Sequence, residues 1–216
     1  SPVLECIDLG ITFGGLKAVD NFNVTIGRTE ITGLIGPNGA GKTTVFNLLT
    51  KVYQPTHGTI LLNGKDIHDL NTAQVNRAGI ARTFQNIRLF GELSVEENIT
   101  VAMDTQMHYT MPEGIFRLPR FWKEERIVHE RAMELLSIFH MEDLAKAKAS
   151  SLPYGAQRRL EILRALATNP SLLLLDEPAA GMNPSETAEL MENIRSIRDT
   201  FKIAVLLIEH DMNLVM

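Results

Sequence analysis

Apolar and polar residues alternate through the first third of the chain, and glycines interrupt the alternation at intervals. An alternation with a period of two is typical of half-buried β-strands, and glycine marks the turns between them. The pattern predicts strands over residues 3–9, 18–26, 30–35 and 59–62, with turns at Phe13-Gly14-Gly15, Gly27 and Asn63-Gly64. The N-terminal third is therefore predicted to consist mainly of short strands.

A different pattern follows between residues 95 and 166. Apolar residues recur there at helical spacing, as at Met133, Leu136 and Phe139, with charged residues between them. This spacing predicts a helical insertion. Within the insertion, residues 109–122 contain two prolines and a glycine, which predicts a loop.

Two apolar runs after the insertion, at residues 172–175 and 203–208, predict buried strands. A helix is predicted between them, with Asn183 as its N-cap, Pro184 as its first residue and Glu186 completing a capping box. The whole pattern therefore predicts an α/β core that is interrupted by a helical subdomain.

Composition limits the classes of protein that the chain can belong to. With 216 residues, 44% of them hydrophobic, the chain is long and apolar enough for one large domain. Its formal net charge of −5 gives no basic excess, so we expect no nucleic acid partner. The single cysteine, Cys6, excludes an internal disulfide, fits a reducing compartment and is predicted to be a small strand residue.

Neither an export signal nor a membrane span is predicted. Glu5 and Asp8 interrupt the N-terminal segment, where a secretory signal needs a continuous apolar stretch. The longest apolar runs are far shorter than the roughly 20 residues of a membrane span. We therefore expect membrane contact only through partner proteins.

A glycine-rich segment between the strand at 30–35 and an apolar helix at 45–49 matches the phosphate-loop pattern. Its residues are Gly36, Pro37, Asn38, Gly39, Ala40, Gly41, Lys42, Thr43 and Thr44. Backbone N–H groups of such a loop surround a triphosphate, and the helix N-terminus adds a favourable dipole. Lys42 is predicted to bind the β- and γ-phosphates, Thr43 to bind Mg²⁺ and Thr44 to donate to a phosphate. The alternative, a glycine-rich turn without a ligand, is disfavoured by the strand-loop-helix context.

The buried run at 172–175 ends in two acids, Asp176 and Glu177. Ligands of parallel sheets gather at the carboxyl ends of the strands, so these acids are expected beside the phosphate loop. Asp176 is predicted to bind Mg²⁺ and Glu177 to act as the general base on water. His210 follows the strand at 203–208 and is predicted to contact the γ-phosphate or orient the water. The alternative for the acid pair is a solvated turn.

The motifs together resemble the nucleotide-binding domains of ABC transporters over essentially the whole chain. The resemblance adds two segments to the phosphate loop, the acid pair and His210: Arg82-Thr83-Phe84-Gln85 and Leu152-Pro153-Tyr154-Gly155-Ala156. It implies ATP and Mg²⁺ as ligands, and a P-loop NTPase (RecA-like) core with an N-terminal antiparallel β subdomain and an inserted α-helical subdomain. It places the core at 1–94 and 167–216 and the helical subdomain at 95–166.

The resemblance also implies roles for individual residues. Gln85 would contact the metal and the γ-phosphate and connect them to a membrane partner, and Phe13 would stack on adenine. Gly155 would approach the nucleotide of a second, opposing domain. Where the family usually has a serine in this signature segment, the chain has Pro153, so that hydroxyl contact is missing. In the segment that corresponds to the family's D-loop, Gly181-Met182-Asn183, the chain has Asn183 where the family commonly has an aspartate.

The same segments resemble one branch of the family, the ATP-binding subunits of branched-chain amino acid importers. This implies a dimer with an identical or related ABC ATPase, two transmembrane permease subunits and, indirectly, a solute-binding protein. It also implies a peripheral position at the cytoplasmic face of the inner membrane. The alternatives are an ABC ATPase for another cargo, such as urea, amides or envelope lipids, a soluble ABC ATPase without a transport role, and a nucleotide-binding regulator that does not hydrolyse.

Overall fold

Two four-stranded sheets form the β-structure of the residues that the structure describes. The structure, a computed structural model, describes residues 1–35, 39–107 and 119–209. In chain order the strands are β1 (Leu4–Phe13), β2 (Leu16–Ile26), β3 (Ile31–Ile35), β4 (His57–Leu62), β5 (Lys65–Asp66), β6 (Ile80–Arg82), β7 (Leu172–Asp176) and β8 (Ala204–Glu209). The helices are α1 (Gly39–Leu49), α2 (Thr72–Ala78), α3 (Val95–Met107), α4 (Pro119–Ile138), α5 (Tyr154–Leu166) and α6 (Pro184–Phe201).

The first sheet is antiparallel, with the strand order β2-β1-β4-β5. β1 continues past its predicted end to Phe13, which pairs with Leu16 across a two-residue turn. Gly14 and Gly15 form that turn with φ values of 50° and 89°, a region that glycine adopts without steric cost. The hairpin therefore presents Phe13 at its end.

The second sheet is parallel, with the strand order β3-β8-β7-β6. Every residue of β7 and β8 is buried, as expected for the continuous apolar runs of a sheet covered on both faces. Because the four strands are parallel, all of their carboxyl ends lie at one edge. The two short elements β6 and α2 were not predicted from the sequence.

Helix α1 packs between the two sheets. Its residues Phe46, Leu48 and Leu49 are fully buried in one apolar cluster that contains residues of both sheets. Cys6 lies in β1 within this cluster, and burial raises the pKa of its thiol to about 12. The thiol is therefore a packed core group, as predicted. None of the helices among the described residues has the length and apolar character of a membrane span.

The chain divides into two compact units, 1–85 with 170–216 and 86–169. Both sheets lie in the first unit. The second unit is helical and includes residues 86–94, because fully buried Asn98 of α3 holds this loop. Its Oδ1 accepts from the Phe90 N–H at 2.9 Å, and its Nδ2 donates to the carbonyls of Phe90 and Ser94 at 3.0 and 2.9 Å.

Two helices, α1 and α4, begin earlier than the sequence analysis predicted. α1 begins at Gly39 instead of residue 45. α5 begins at Tyr154, so that Gly155 is in its first turn. Residues 109–118 of the predicted loop at 109–122 lie outside the described residues. Its last four positions were wrongly assigned, since α4 begins at Pro119. Proline fits the first turn of a helix, where its missing N–H removes no hydrogen bond.

The start of α6 has the predicted N-cap, but the reciprocal contact of the predicted capping box differs. Asn183 is the N-cap and its Oδ1 accepts from the Glu186 N–H at 2.8 Å. The Glu186 carboxylate accepts from the Asn183 side-chain amide at 2.6 Å, so the reciprocal contact is between the two side chains.

We expect Asn183→Ala to lower the free energy of unfolding by about 1 kcal/mol, because the Glu186 N–H loses its acceptor. For a chain of this size, that loss corresponds to a decrease in Tm of about 2–4 °C. Urea titration of the variant measures the change in the free energy of unfolding. Asn183→Asp keeps the acceptor and serves as the control, and an equal loss in that control would contradict the capping explanation.

Candidate nucleotide-binding site

The predicted motifs follow the carboxyl ends of the parallel strands. β3 leads into the phosphate-loop segment, β6 into Gln85, β7 into the acid pair and β8 into residue 210. In the sheet register, Ile35 is opposite Glu209 and Asp176 is opposite Ile208, so these ends are aligned. Gly36, Pro37, Asn38 and His210 lie outside the described residues, and their roles stay predictions.

The phosphate-loop segment continues directly into α1. The first turn of the helix begins at Gly39, and Lys42 follows within it with a side chain that is largely buried. Gly41, Thr43 and Thr44 are partly buried. Helix N–H groups without intrahelical partners and the positive end of the helix dipole favour an anion at this position.

The acid pair is buried and is therefore not a solvated turn. Asp176 is 3% exposed and Glu177 8% exposed. The Glu177 N–H donates to the Ile208 carbonyl at 2.9 Å, which extends the pairing between β7 and β8. Glu177 has a φ of 48°, a left-handed conformation that costs a residue other than glycine on the order of 1–3 kcal/mol. The turn after β7 thus holds Glu177 in a disfavoured backbone conformation, and this conformation determines where its carboxylate lies.

Gln85 and Glu177, far apart in the sequence, are hydrogen-bonded. Gln85 Nε2 donates to Glu177 Oε2 at 3.1 Å, and Gln85 itself is exposed. Thr83 fixes the segment before it: its N–H donates to the Leu174 carbonyl at 2.9 Å, and its hydroxyl accepts from the Asp176 N–H at 3.2 Å. The structure therefore brings together two of the predicted catalytic side chains.

Three residues around the site had no role in the sequence analysis. Glu209 is buried and its carboxylate accepts from the Ala179 N–H at 3.4 Å, which supports the turn after Glu177. Thr83 and Arg82 belong to the segment that carries the resemblance, and both contact β7. A local signal that could have found Arg82 is its charge at the end of the otherwise apolar run Ile80–Arg82.

The oxygen donors at this edge fit a magnesium ion. Asp176 offers a carboxylate, Thr43 a hydroxyl and Gln85 an amide oxygen, and Mg²⁺ prefers such hard ligands. Among residues 1–35, 39–107 and 119–209, no group of three or more His, Cys, Asp or Glu residues could enclose a metal. Magnesium at phosphate sites is usually bound by one or two protein groups together with phosphate oxygens and water, which this donor set can provide.

Phe13 is not a core residue. Its side chain is 43% exposed, and its ring forms an edge-to-face pair with Tyr53, with centroids 5.1 Å apart. The space beside Gly14 and Gly15 is open, since a Cβ atom at either position would meet no atom within 4 Å. An exposed, oriented aromatic ring with free space beside it can stack on a planar base.

The signature segment lies in the second unit, at the start of α5. Pro153 is the N-cap and provides no side-chain cap. Tyr154 is 49% exposed, and its hydroxyl accepts from Nε and Nη2 of the buried Arg158 at 3.1 and 2.8 Å. Gly155 is partly buried in the first turn.

Two known relatives of this chain agree in their description. The family model described as ABC transporter matches residues 19–180. The high-affinity branched-chain amino acid transport ATP-binding protein BraF of Pseudomonas aeruginosa is 46% identical over 215 residues, which cover 100% of this chain and 84% of BraF. The LivG protein of Escherichia coli K12, with the same description, is 48% identical with the same coverage.

The solved structures extend this agreement to the fold. One of them, the ADP conformation of MJ1267, an ATP-binding cassette of an ABC transporter, matches with a TM-score of 0.83 and 27% sequence identity. The match covers 100% of this chain and 84% of that one. The predicted α/β P-loop NTPase fold, with an antiparallel sheet and an inserted helical segment, is confirmed. The chain therefore belongs to the ABC transporter family, as one of its ATP-binding proteins.

Proposed function

We propose that the chain is the Mg²⁺-dependent ATPase that energises an importer of branched-chain amino acids. The relatives BraF and LivG, both named for this transport, are 46% and 48% identical to it over its full length. The observation that carries the catalytic part is the hydrogen bond between Gln85 and the buried Glu177, at the sheet edge where β3 leads into the phosphate-loop segment.

Each residue of the site has a different role in hydrolysis. Backbone N–H groups of residues 36–44 and the Lys42 ammonium bind the phosphates, with Thr44 as a further donor. Glu177 accepts a proton from the attacking water, and its bond to Gln85 orients the carboxylate toward that water. His210 contacts the γ-phosphate or orients the water from the adjacent strand end. Positioning of water and phosphate, together with electrostatic stabilisation, supplies almost all of the rate enhancement in phosphoryl transfer.

Thr43, Asp176 and Gln85 are the residues that would hold Mg²⁺. When bound, the ion neutralises charge on the β- and γ-phosphate oxygens. Asp176 is 3% exposed at the end of a strand, so its carboxylate has a fixed position. A fixed ligand loses little entropy when it binds a metal.

The second unit, with its signature segment, completes the site of an opposing ATPase in our proposal. Two such domains close head to tail around two ATP molecules, and each nucleotide lies between one Lys42 and the Gly155 region of the other domain. The first turn of α5 offers N–H groups without a side-chain cap. Because Pro153 has no hydroxyl, this half of the site is expected to bind more weakly. ATP moves the equilibrium only if it binds the closed dimer better than the open one.

The proposed partners follow from the relatives. They are a second, related ABC ATPase or another copy of this chain, two transmembrane permease subunits and, indirectly, a solute-binding protein. We place the chain at the cytoplasmic face of the inner membrane, attached through these subunits. The net charge of −5 supports no nucleic acid partner.

Reconstitution tests the proposed cargo. The chain is purified with its membrane subunits in proteoliposomes, and ATP hydrolysis is measured with binding proteins for leucine, isoleucine and valine, for urea or amides, and without any. We expect ATP hydrolysis to be stimulated by the binding proteins for leucine, isoleucine and valine and by no other binding protein. Stimulation by another cargo would overturn the substrate assignment and keep the ATPase, whereas no hydrolysis under any condition would overturn both.

Phe13→Leu is expected to weaken ATP binding by about 5- to 30-fold, since base stacking on an aromatic ring contributes about 1–2 kcal/mol. Binding of inorganic tripolyphosphate, which has no base, is expected to stay within about twofold, because a ligand without a base cannot use the stack. Competition against a fluorescent ATP analogue measures both affinities. Equal losses for the two ligands would show that Phe13 supports the fold and not the base.

A further inference from the structure

A buried arginine connects the phosphate-loop helix to the segment that carries Gln85. Arg82 ends β6, and its side chain is 7% exposed. A guanidinium group is always charged, and burying a charge is costly unless several partners hold it. The partners of Arg82 therefore indicate what the group does.

Two partners come from α1 and the residue after it. Arg82 Nη1 donates to Asn47 Oδ1 at 2.8 Å and to Thr50 Oγ1 at 3.2 Å. The Thr50 hydroxyl itself donates to the Phe46 carbonyl at 2.8 Å, which fixes the oxygen that accepts from Arg82. The guanidinium is thus anchored to the helix whose first turn contains Lys42.

The guanidinium lies over two aromatic rings. Its central carbon lies 4.5 Å from the centroid of Phe84 and 5.6 Å from that of Phe46, within the range of cation–π contacts. Phe84 directly precedes Gln85. By contrast, the ion pair with Asp176 has an Nη2–Oδ2 distance of 4.0 Å, too long for a direct hydrogen bond. Arg82 thus contacts α1 and Phe84 at short range and pairs with Asp176 at the longer distance.

We infer that Arg82 is a positioning residue for the Gln85–Glu177 pair. The guanidinium contacts the Phe84 ring and is itself hydrogen-bonded to α1. Thr83, which lies between Arg82 and Phe84, hydrogen-bonds the backbone to β7. These contacts hold Gln85 so that its Nε2 lies 3.1 Å from Glu177 Oε2. Lysine cannot replace it, because an ammonium has no planar face to stack on Phe84 and hydrogen-bond two acceptors at once. The inference rests on the proposed role of Glu177 in hydrolysis.

The test is a comparison of kcat and KM for ATP in the full chain with its partner subunits. Arg82→Lys is expected to lower kcat by about 10- to 100-fold, since a misplacement near 1 Å at a reacting group has an effect of that size. KM and the Mg²⁺ concentration for half-maximal rate are expected to change by less than about twofold, because Arg82 acts on geometry and not on binding. Arg195→Lys, on the exposed face of α6, is the matched control and is expected to keep the wild-type rate.

Double variants distinguish action through Gln85 from a general structural effect. If Arg82 acts through Gln85, then Arg82→Lys adds less than about twofold to the loss caused by Gln85→Ala, because groups that act as a unit are not additive. Phe84→Leu is expected to reproduce most of the loss of kcat, and Phe84→Tyr, which keeps the ring, to retain most of the rate. Should Arg82→Lys not fold, Asn47→Ala removes the 2.8 Å hydrogen bond that anchors the guanidinium to α1 and is expected to lower kcat without changing KM.

Three results would overturn the inference: multiplicative losses in the double variant, a loss of ATP affinity equal to the loss of kcat, or a higher Mg²⁺ requirement at unchanged kcat. The last would show that Arg82 acts through Asp176. These results leave the ATPase assignment intact. A failure of that assignment is distinguishable, because the wild-type chain would then not hydrolyse ATP.

Discussion

Glutamine in place of Glu177 is expected to leave ATP bound to the chain while lowering the rate of hydrolysis by at least about 100-fold, the usual contribution of a general base. The substitution removes the group that accepts a proton from water. It keeps the size of the side chain and an oxygen that can still accept from Gln85 Nε2. Single-turnover hydrolysis measures the rate, and equilibrium binding of a fluorescent ATP analogue measures the affinity.

Glu192→Gln is the matched control, because it makes the same chemical change on the exposed face of α6, where the side chain is 69% exposed. It is expected to keep the wild-type rate. The buried position of Glu177 makes the comparison informative, since burying a carboxylate costs free energy unless hydrogen bonds or charges pair it. An unchanged rate in Glu177→Gln would remove this carboxylate from the mechanism, and a parallel loss of ATP binding would indicate a role in the fold.

The parts of the site that could be predicted from the sequence are those with local signals. The run Leu172–Asp176 has a continuous apolar pattern, and the parallel register then determines where its acids emerge. The phosphate loop is specified by nine consecutive residues. Asn183 was predictable because capping involves residues three positions apart. In each case the necessary information lies within one short segment.

The parts that could not be predicted depend on contacts between distant segments. β6 has only three residues and becomes a strand by pairing with β7, more than 80 positions later. The Gln85–Glu177 bond and the guanidinium stack of Arg82 likewise join positions that no periodicity connects. Phe13 is exposed at the end of the β1–β2 hairpin, although a lone aromatic residue is more often buried. Tertiary packing, not local preference, decides such positions.

Alanine in place of Lys42 is expected to weaken binding of ATP and ADP by about 100-fold or more. Losing a charged hydrogen-bonding partner of a phosphate costs about 1.5–3 kcal/mol, and the loss is larger where the group is shielded from water. Lys42 is 9% exposed in the first turn of α1, so little water reaches it to replace the ammonium. Because Lys42 is predicted to reach the β- and γ-phosphates, AMP, which lacks both, is expected to bind with an unchanged low affinity.

This pattern separates a phosphate contact from a loss of structure. Phe13→Leu should affect ligands that have a base, whereas Lys42→Ala should affect ligands that have a β-phosphate, tripolyphosphate included. Lys146→Ala, on the exposed surface of the helical unit, removes the same type of charge and is expected to leave all affinities unchanged. Isothermal titration with ATP, ADP, AMP and tripolyphosphate gives the complete comparison. If Lys42→Ala binds tripolyphosphate as tightly as the wild type, the phosphate-loop segment does not bind polyphosphate, and the assignment of the sheet edge as a nucleotide site is wrong.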